Sequence, residues 1–218
     1  MTDTLIVRSH SLPLDYLSVW QAMQHFTLTR QKNTFDELWL LEHLPVYTQG
    51  LAGKPEHVLQ QNETALVHSD RGGQITWHGP GQLMMYTLLD TQRLNIGARA
   101  LINLLQTILA NVLQAIGVAS HIKQDAPGIY VMQQGQEAKI AAVGLRIKKT
   151  GCYHGAALNI NCDLKQFNAI NPCGYAGQAV TNLAALMPHT PQRVDIEQHL
   201  INEFTQALHY SRVEHITL

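Results

Sequence analysis

Apolar residues recur along this chain with two periods, and the switches between them mark out its elements. Residues 4–8 form a short β-prone run that predicts an edge strand. Over residues 14–30, Leu17, Trp20, Met23 and Leu28 recur on roughly one helical face, which predicts an amphipathic helix. Residues 37–43 are almost continuously apolar and residues 46–48 resume after Pro45, predicting two strands with a proline-marked break between them. Residues 51–63 are polar and read as a loop or a short helix. Residues 65–69 and 82–89 read as strands on either side of a glycine-rich element.

Residues 98–116 carry Leu101, Leu104, Leu105, Ile108, Val112 and Ile116 at helical spacing and stop at Gly117. Residues 120–123 and 128–132 are strand candidates. Residues 139–147 and 152–160 have the pattern of a hairpin, each arm interrupted by a glycine, Gly144 and Gly155; glycine inside a strand marks close approach by a ligand or another backbone. A last helix starts at Asp195, with Asp195 and Gln198 at capping-box spacing and Ile196, Leu200, Phe204 and Leu208 on one face. Strands with interspersed helices, but no regular βαβ alternation, predict an α+β fold built on a mixed β-sheet flanked by helices. Neither repeats nor low-complexity tracts interrupt it, and residues 1–218 are expected to form a single domain, or one with a small appendage.

Composition narrows the functional classes. Charged residues make up only 14% of the 218, against the usual ~25%, so the surface relies on Gln, Asn, Thr and His. Fifteen basic residues against sixteen acidic ones leave a net charge of −1, which gives no whole-chain attraction for nucleic acid. No apolar run approaches the ~20 residues needed to span a bilayer, and the N-terminus lacks the layout of a signal peptide, so no membrane association is expected. Cys152, Cys162 and Cys173 are odd in number and 10 and 11 residues apart, which fits neither a disulfide framework nor a zinc pair. A reducing cytoplasm, no metal and no cofactor are the expectations.

The chain is organised around residues 71–82, R-G-G-Q-I-T-W-H-G-P-G-Q. Gly72, Gly73, Gly79 and Gly81 with Pro80 predict sharp turns, and Ile75 and Trp77 alternate with Gln74, Thr76 and His78 as in a short strand. Arg71, Gln74 and His78 are therefore expected on a stiff frame, Arg71 and His78 at its turns, where side chains seldom pack. A plain hairpin with a glycine bulge is the alternative reading. Cys173 lies between Pro172 and Gly174 in residues 168–177, a turn rather than an apolar face, which favours a nucleophile over a merely structural cysteine, the alternative reading. Gly174 is expected to leave a backbone N–H open for a developing oxyanion. A thiol needs a basic or positive neighbour to ionise, and His78, His154 and Lys139 are the candidates. Lys139 is out of place at the opening of an apolar strand, where desolvation would lower its pKa and free its amine. The residues alone leave His78 and Lys139 level.

Together, R-G-G-Q-I-T-W-H-G-P-G-Q, A-K-I-A-A-V-G-L-R-I, H-G-A-A-L-N-I and N-P-C-G-Y-A-G resemble, in order, the lipoyl(octanoyl) transferase family over about residues 35–181. The resemblance implies the fold shared with lipoate and biotin protein ligases. It implies transfer of an octanoyl group from octanoyl-acyl carrier protein, through a cysteine thioester, to a lysine on the lipoyl domains of 2-oxoacid dehydrogenases and on the glycine cleavage H protein. Carried over residue by residue, the nucleophile falls on Cys173 and its partner on Lys139, with His78 left to pocket and oxyanion-side polarity. Substrate binding falls on Arg71, Gly72, Gly73, Gln74, Ile75, Thr76, Trp77 and His78, on Ala142, Val143 and Gly144, and on Gly155, Ala156 and Ala157. Arg146, Lys148 and Lys149 are expected to form a basic patch for acidic partners. Two other readings compete: an ATP-dependent ligase on the same fold, which would release AMP, and a non-catalytic acyl-binding or lipoyl-domain-binding module, for which Cys173 would be dispensable.

Overall fold

The computed structural model describes residues 3–60, 63–123 and 125–217, which form a large and a small sheet with three helices. In chain order these are β1 (Thr4–Ser9), α1 (Tyr16–Thr29), β2 (Asp36–Leu41), β3 (Val46–Gln49), β4 (Leu66–His68), β5 (Ile75–His78) and β6 (Gln82–Leu88). They are followed by α2 (Ala98–Ala115), β7 (His121–Ile122), β8 (Gly128–Gln133), β9 (Gln136–Lys148), β10 (Gly151–Asn159), α3 (Arg193–Ala207) and β11 (Arg212–Thr217). The eight-stranded sheet has the order β11-β1-β2-β6-β10-β9-β8-β7, with its first two pairings parallel and the rest antiparallel. The small sheet, β4-β3-β5, is also mixed. The expected α+β fold on a mixed sheet flanked by helices is what the chain forms.

The central strands are covered on both faces, which is why their sequences read as continuous apolar runs. Along β2, Leu38 and Leu40 join the core under α2 and α3, while Trp39 and Leu41 join a second core beneath α1. On β6, Leu83 and Met85 point to the first core, and Met84 and Tyr86 to the second. Leu101, Leu105 and Leu109 of α2 meet Ile196, Leu200 and Phe204 of α3 in the first core. A third cluster, Tyr47, Ile75, Trp77 and Phe167, holds the small sheet to the 3-10 turn Leu164–Ala169.

Several expectations are corrected. β1 is not an edge strand, because β11, which the apolar pattern did not mark, pairs along its outer side. On α1 the buried face is Tyr16, Val19, Met23 and Thr27, and Leu17 and Leu28 are exposed; amphipathic Tyr and Thr, not leucine, anchor the helix. α3 begins at Arg193 with Gln192 at its cap, so Asp195 lies in the first turn and forms no capping box with Gln198. Residues 55–57 make one 3-10 turn, whereas residues 61 and 62 of the predicted 51–63 loop lie outside the described residues.

Asp36, fully buried at the start of β2, ties the periphery to the sheet. It pairs with Arg30 at the C-terminal cap of α1, accepts from the Tyr210 hydroxyl at 2.7 Å and accepts from the Asp90 backbone N–H at 2.7 Å. The Arg30 side chain is itself only 2% exposed. Asp36→Asn keeps the shape but leaves that guanidinium without a counter-charge, a loss of about 3–5 kcal/mol. For a chain of this size the melting temperature should fall by roughly 10 °C. A thermal melt indistinguishable from wild type would remove Asp36 from this role.

Candidate active site

Cys173 is positioned by the backbone around it. It lies in the 3-10 turn Pro172–Gly174, whose upstream end is fixed where Asn171 N–H donates to His57 O at 2.9 Å and Leu59 N–H to Ala169 O at 2.8 Å. Downstream, Lys139 N–H donates to Ala179 O at 2.8 Å and Thr181 N–H to Lys139 O at 2.9 Å. Cys173 adopts φ 57°, ψ 16°, a left-handed conformation that costs a non-glycine residue about 1–2 kcal/mol. Two bonds close the turn: Gly174 N–H donates to Asn171 O at 2.9 Å and Tyr175 N–H to Pro172 O at 3.2 Å. The Gly174 N–H is thus engaged and does not stand open, contrary to the expectation from sequence.

Lys139 meets the thiol. Its Nζ donates to Cys173 Sγ at 3.0 Å and to Pro127 O at 3.1 Å, and it lies 5.2 Å from the Tyr130 ring centroid. The lysine does not open its strand; β9 starts three residues earlier, and Lys139 is 4% exposed. Between Ile129 and Tyr130 the β8–β9 ladder slips, so that Ile129 faces Ala141 and Tyr130 faces Lys139, skipping Ile140. Such a bulge re-aims a side chain: Ile140 enters the main core while Lys139 lines the cavity. Gly128 leaves the room, since a Cβ there would sit 2.7 Å from Lys139 Cε and 3.2 Å from Nζ.

Burial pulls the Lys139 pKa down, but the charge and hydrogen bond of Cys173, then those of Tyr130, outweigh it and the net shift is upward. The free amine expected from desolvation is therefore reversed into a held ammonium. Cys152 and Cys162 differ: burial raises their thiols to about 11 and about 12.

Lys139 and Cys173 border a cavity of about 250 Å³. Every position proposed for substrate binding borders it as well, except Trp77. The Trp77 ring is taken up in the third cluster instead, where it packs edge-on to Phe167. Gly144 and Gly155 pair directly across the β9–β10 ladder, so the hairpin beneath the cavity carries no side chains at its middle. Met84, Ile102, Val143 and Ala156 give apolar wall, while exposed Asp125 and Tyr175 mark the open end. Met84 and Tyr86 could have been found from the alternation along β6. Tyr16 and Ile102 arrive from distant elements and carry no local signal, whereas Tyr175 lies in the same turn segment as Cys173 and could have been found from it.

Arg71, His78 and His154, behind the cavity, are already hydrogen-bonded. Arg71 is buried, not exposed at its turn, and its guanidinium donates to Thr48 Oγ1, Thr48 O, Gly72 O and Gln74 O at 2.6–3.1 Å. His78 uses both ring nitrogens, on Thr48 Oγ1 at 3.1 Å and Gln82 Oε1 at 2.6 Å. Because Thr48 Oγ1 accepts from Arg71, its proton goes to His78 Nε2, which leaves Nδ1–H to donate to Gln82. Burial, reinforced by His43 and Arg71, holds the His78 pKa well below the usual value. His154 bonds Asp70 Oδ1 at 3.1 Å and is also shifted down, chiefly by burial. Neither histidine's hydrogen bonds involve the thiol, and His78 has no free nitrogen for an oxyanion. Among the described residues no cluster of three or more His, Cys, Asp or Glu could hold a metal, and no helix is long and apolar enough to cross a membrane.

Residues 15–205 match the lipoyl protein ligase A/B catalytic domain. The chain is 50% identical to an octanoyltransferase of Legionella pneumophila (strain Paris) over 196 residues, covering 89% of this chain and 96% of that one. With an octanoyltransferase of Shewanella loihica (strain ATCC BAA-1088 / PV-4) it shares 45% over 216 residues, 99% of this chain and 96% of the relative. Among solved structures, the bipartite lipoate protein ligase of Thermoplasma acidophilum superposes with a TM-score of 0.77 at 16% identity, covering all of this chain and 88% of that one. Lipoate-protein ligase A bound with ATP gives 0.72 at 15% identity, over 99% and 88% of the two chains. At these identities the two structures speak to the fold alone.

The contact between Lys139 and Cys173 should set the thiol's reactivity. In Lys139→Met, alkylation of Cys173 by iodoacetamide at pH 7 should slow roughly tenfold, because the sulfur loses the cation that touches it. His78→Asn should slow it far less. Mass spectrometry of the labelled cysteine reads both variants, and the reverse ranking would return the activating role to His78.

Proposed function

We propose, from the premise that this chain belongs to the lipoyl protein ligase A/B catalytic-domain family, that it transfers an octanoyl group through a thioester on Cys173 to the lysine of an acceptor domain. Octanoyl transfer in protein lipoylation is the activity of its family relatives. The thioester is the step added here, and the observation that carries it is the 3.0 Å contact of Lys139 Nζ with Cys173 Sγ on the wall of a largely apolar cavity.

The chemistry follows from that contact. Cys173 sulfur, its proton removed, attacks the carbonyl carbon of an incoming octanoyl thioester, forming one C–S bond. Collapse of the tetrahedral adduct breaks the other C–S bond, and the departing thiolate takes a proton from the Lys139 ammonium. Lys139, now neutral, accepts a proton from the acceptor's amine as it attacks the enzyme thioester. Expulsion of the Cys173 thiolate completes the amide and restores the ion pair. Exchange of one thioester for another is nearly balanced in energy and conversion to an amide runs downhill, so ATP is not required.

An ATP-dependent ligase on this fold would need basic groups free to hold phosphate. The Arg71 guanidinium is instead held by four acceptors of its own framework, which favours acyl transfer. The acyl donor in this reading is octanoyl-acyl carrier protein, and the acceptors are the lipoyl domains of 2-oxoacid dehydrogenases and the glycine cleavage H protein. Of the basic residues expected to meet these acidic proteins, Arg146 leans 3.8 Å from Asp70, leaving Lys148 and Lys149 at the hairpin tip.

Incubation with octanoyl-acyl carrier protein should add one octanoyl mass to the intact protein. Cys173→Ala should abolish the adduct, whereas Cys152→Ala and Cys162→Ala should retain it. An adduct that persists in Cys173→Ala, or formation of AMP from ATP and octanoate, would overturn the reading. Replacing Lys148 and Lys149 together by Glu should raise the KM for carrier protein at low salt and leave acyl-chain preference as it was, since rim charges act on encounter. An unchanged KM at low salt would exclude the hairpin tip as a docking site.

A further inference from the structure

We propose that the side-chain amide of Gln74 donates the hydrogen bond that holds the substrate's carbonyl oxygen while charge develops on it, both as Cys173 is acylated and as it is released; this rests on the thioester reading above. Attack by sulfur turns the planar carbonyl into a tetrahedral centre and moves an electron pair onto oxygen. That oxygen needs donors already in place.

The usual donors at this site are committed. The N–H groups of Gly174 and Tyr175 close the nucleophile's own turn. His78 has both nitrogens bonded, and the Arg71 guanidinium is held by Thr48, Gly72 and Gln74. Lys139 is directed at the sulfur.

Gln74 is the exception. It borders the cavity, yet its Oε1 is buried without any hydrogen-bond partner. A buried polar atom left unsatisfied is destabilising, and in native proteins such orphans call for an explanation. With Oε1 unpartnered, no bond on that oxygen fixes which end of the amide faces the cavity, so Nε2 can be presented to a ligand.

Its location is equally specific. A Cβ added to Gly174 would collide with Nε2, Cδ and Oε1 of Gln74, so the amide occupies the space that a side chain beside the nucleophile would fill. Glycine at 174 thus makes room for a glutamine amide one residue from the reacting sulfur. The same contact admits another role, a wedge that merely props the left-handed turn of Cys173, and the test must separate the two.

Single-turnover acylation of Cys173 by a small octanoyl thioester, followed by intact mass, should be compared in wild type, Gln74→Leu and Gln74→Ala. Leucine keeps packing against Gly174 but carries no donor. Alkylation by iodoacetamide is the control, because it uses the sulfur and creates no oxyanion. Acylation should slow by about 10²-fold in both variants, the usual cost of one oxyanion donor, with alkylation unchanged. Acylation at the wild-type rate in Gln74→Leu, or a parallel loss of alkylation, would overturn the role. A wild type that takes up no octanoyl group would instead overturn the thioester reading, and this role with it.

Discussion

The hydrogen bond from Lys139 Nζ to Cys173 Sγ is the constraint on which the site's arrangement depends. It joins two segments 34 residues apart, and each had to be distorted to make it. β9 slips its register so that the lysine turns toward the cavity, and the cysteine adopts a left-handed conformation within a tight turn. The lysine serves twice, its side chain on the sulfur and its main chain on residues 179 and 181 just downstream. The position of the sulfur and the cation beside it are therefore set by one residue, so neither can drift without the other.

Behind this pair runs a continuous line of hydrogen bonds. Arg71 donates to Thr48, Thr48 to His78 and His78 to Gln82; Gln82 donates to Asn159, and Asn159 to Thr181 O. Thr181 N–H then donates to Lys139 O. The glycine-rich element thus reaches Lys139 through five side chains that are each satisfied. Buried networks of this kind rigidify when complete. Their completeness explains why so many polar residues can surround an acyl site without offering it alternative acids and bases.

Much of this was legible in the chain. β2, β6 and β10 are covered on both faces, and a strand so covered cannot hide its apolar run; α2 shows its buried stripe for the same reason. Cys173 stood out through its proline and glycine neighbours, and Lys139 through being a cation on an apolar strand. What failed was whatever depends on partners distant in sequence. β1 looks like an edge strand until β11, some 200 residues on, lies down beside it. Arg71 looks exposed at its turn until Thr48 is seen to supply the acceptors that fold it inward. The choice between Lys139 and His78 could not be made locally either, since it turns on a register slip and on hydrogen bonds that cross between elements. Trp77 was misplaced for the same reason, because its ring packs on Phe167, 90 residues further along the chain.

The position of Cys173 has a consequence for traffic. In the proposed reaction donor and acceptor would both have to reach the same sulfur, and the cavity beside it opens at Tyr175 and Asp125. In that reaction two folded domains would share one opening, so they would have to queue. The spent donor would have to depart before the acceptor could dock, each excluding the other while it lingers. Throughput would then depend on the ratio of the two partners as well as on either concentration, with a surplus of unloaded donor slowing delivery as surely as a shortage of loaded donor would.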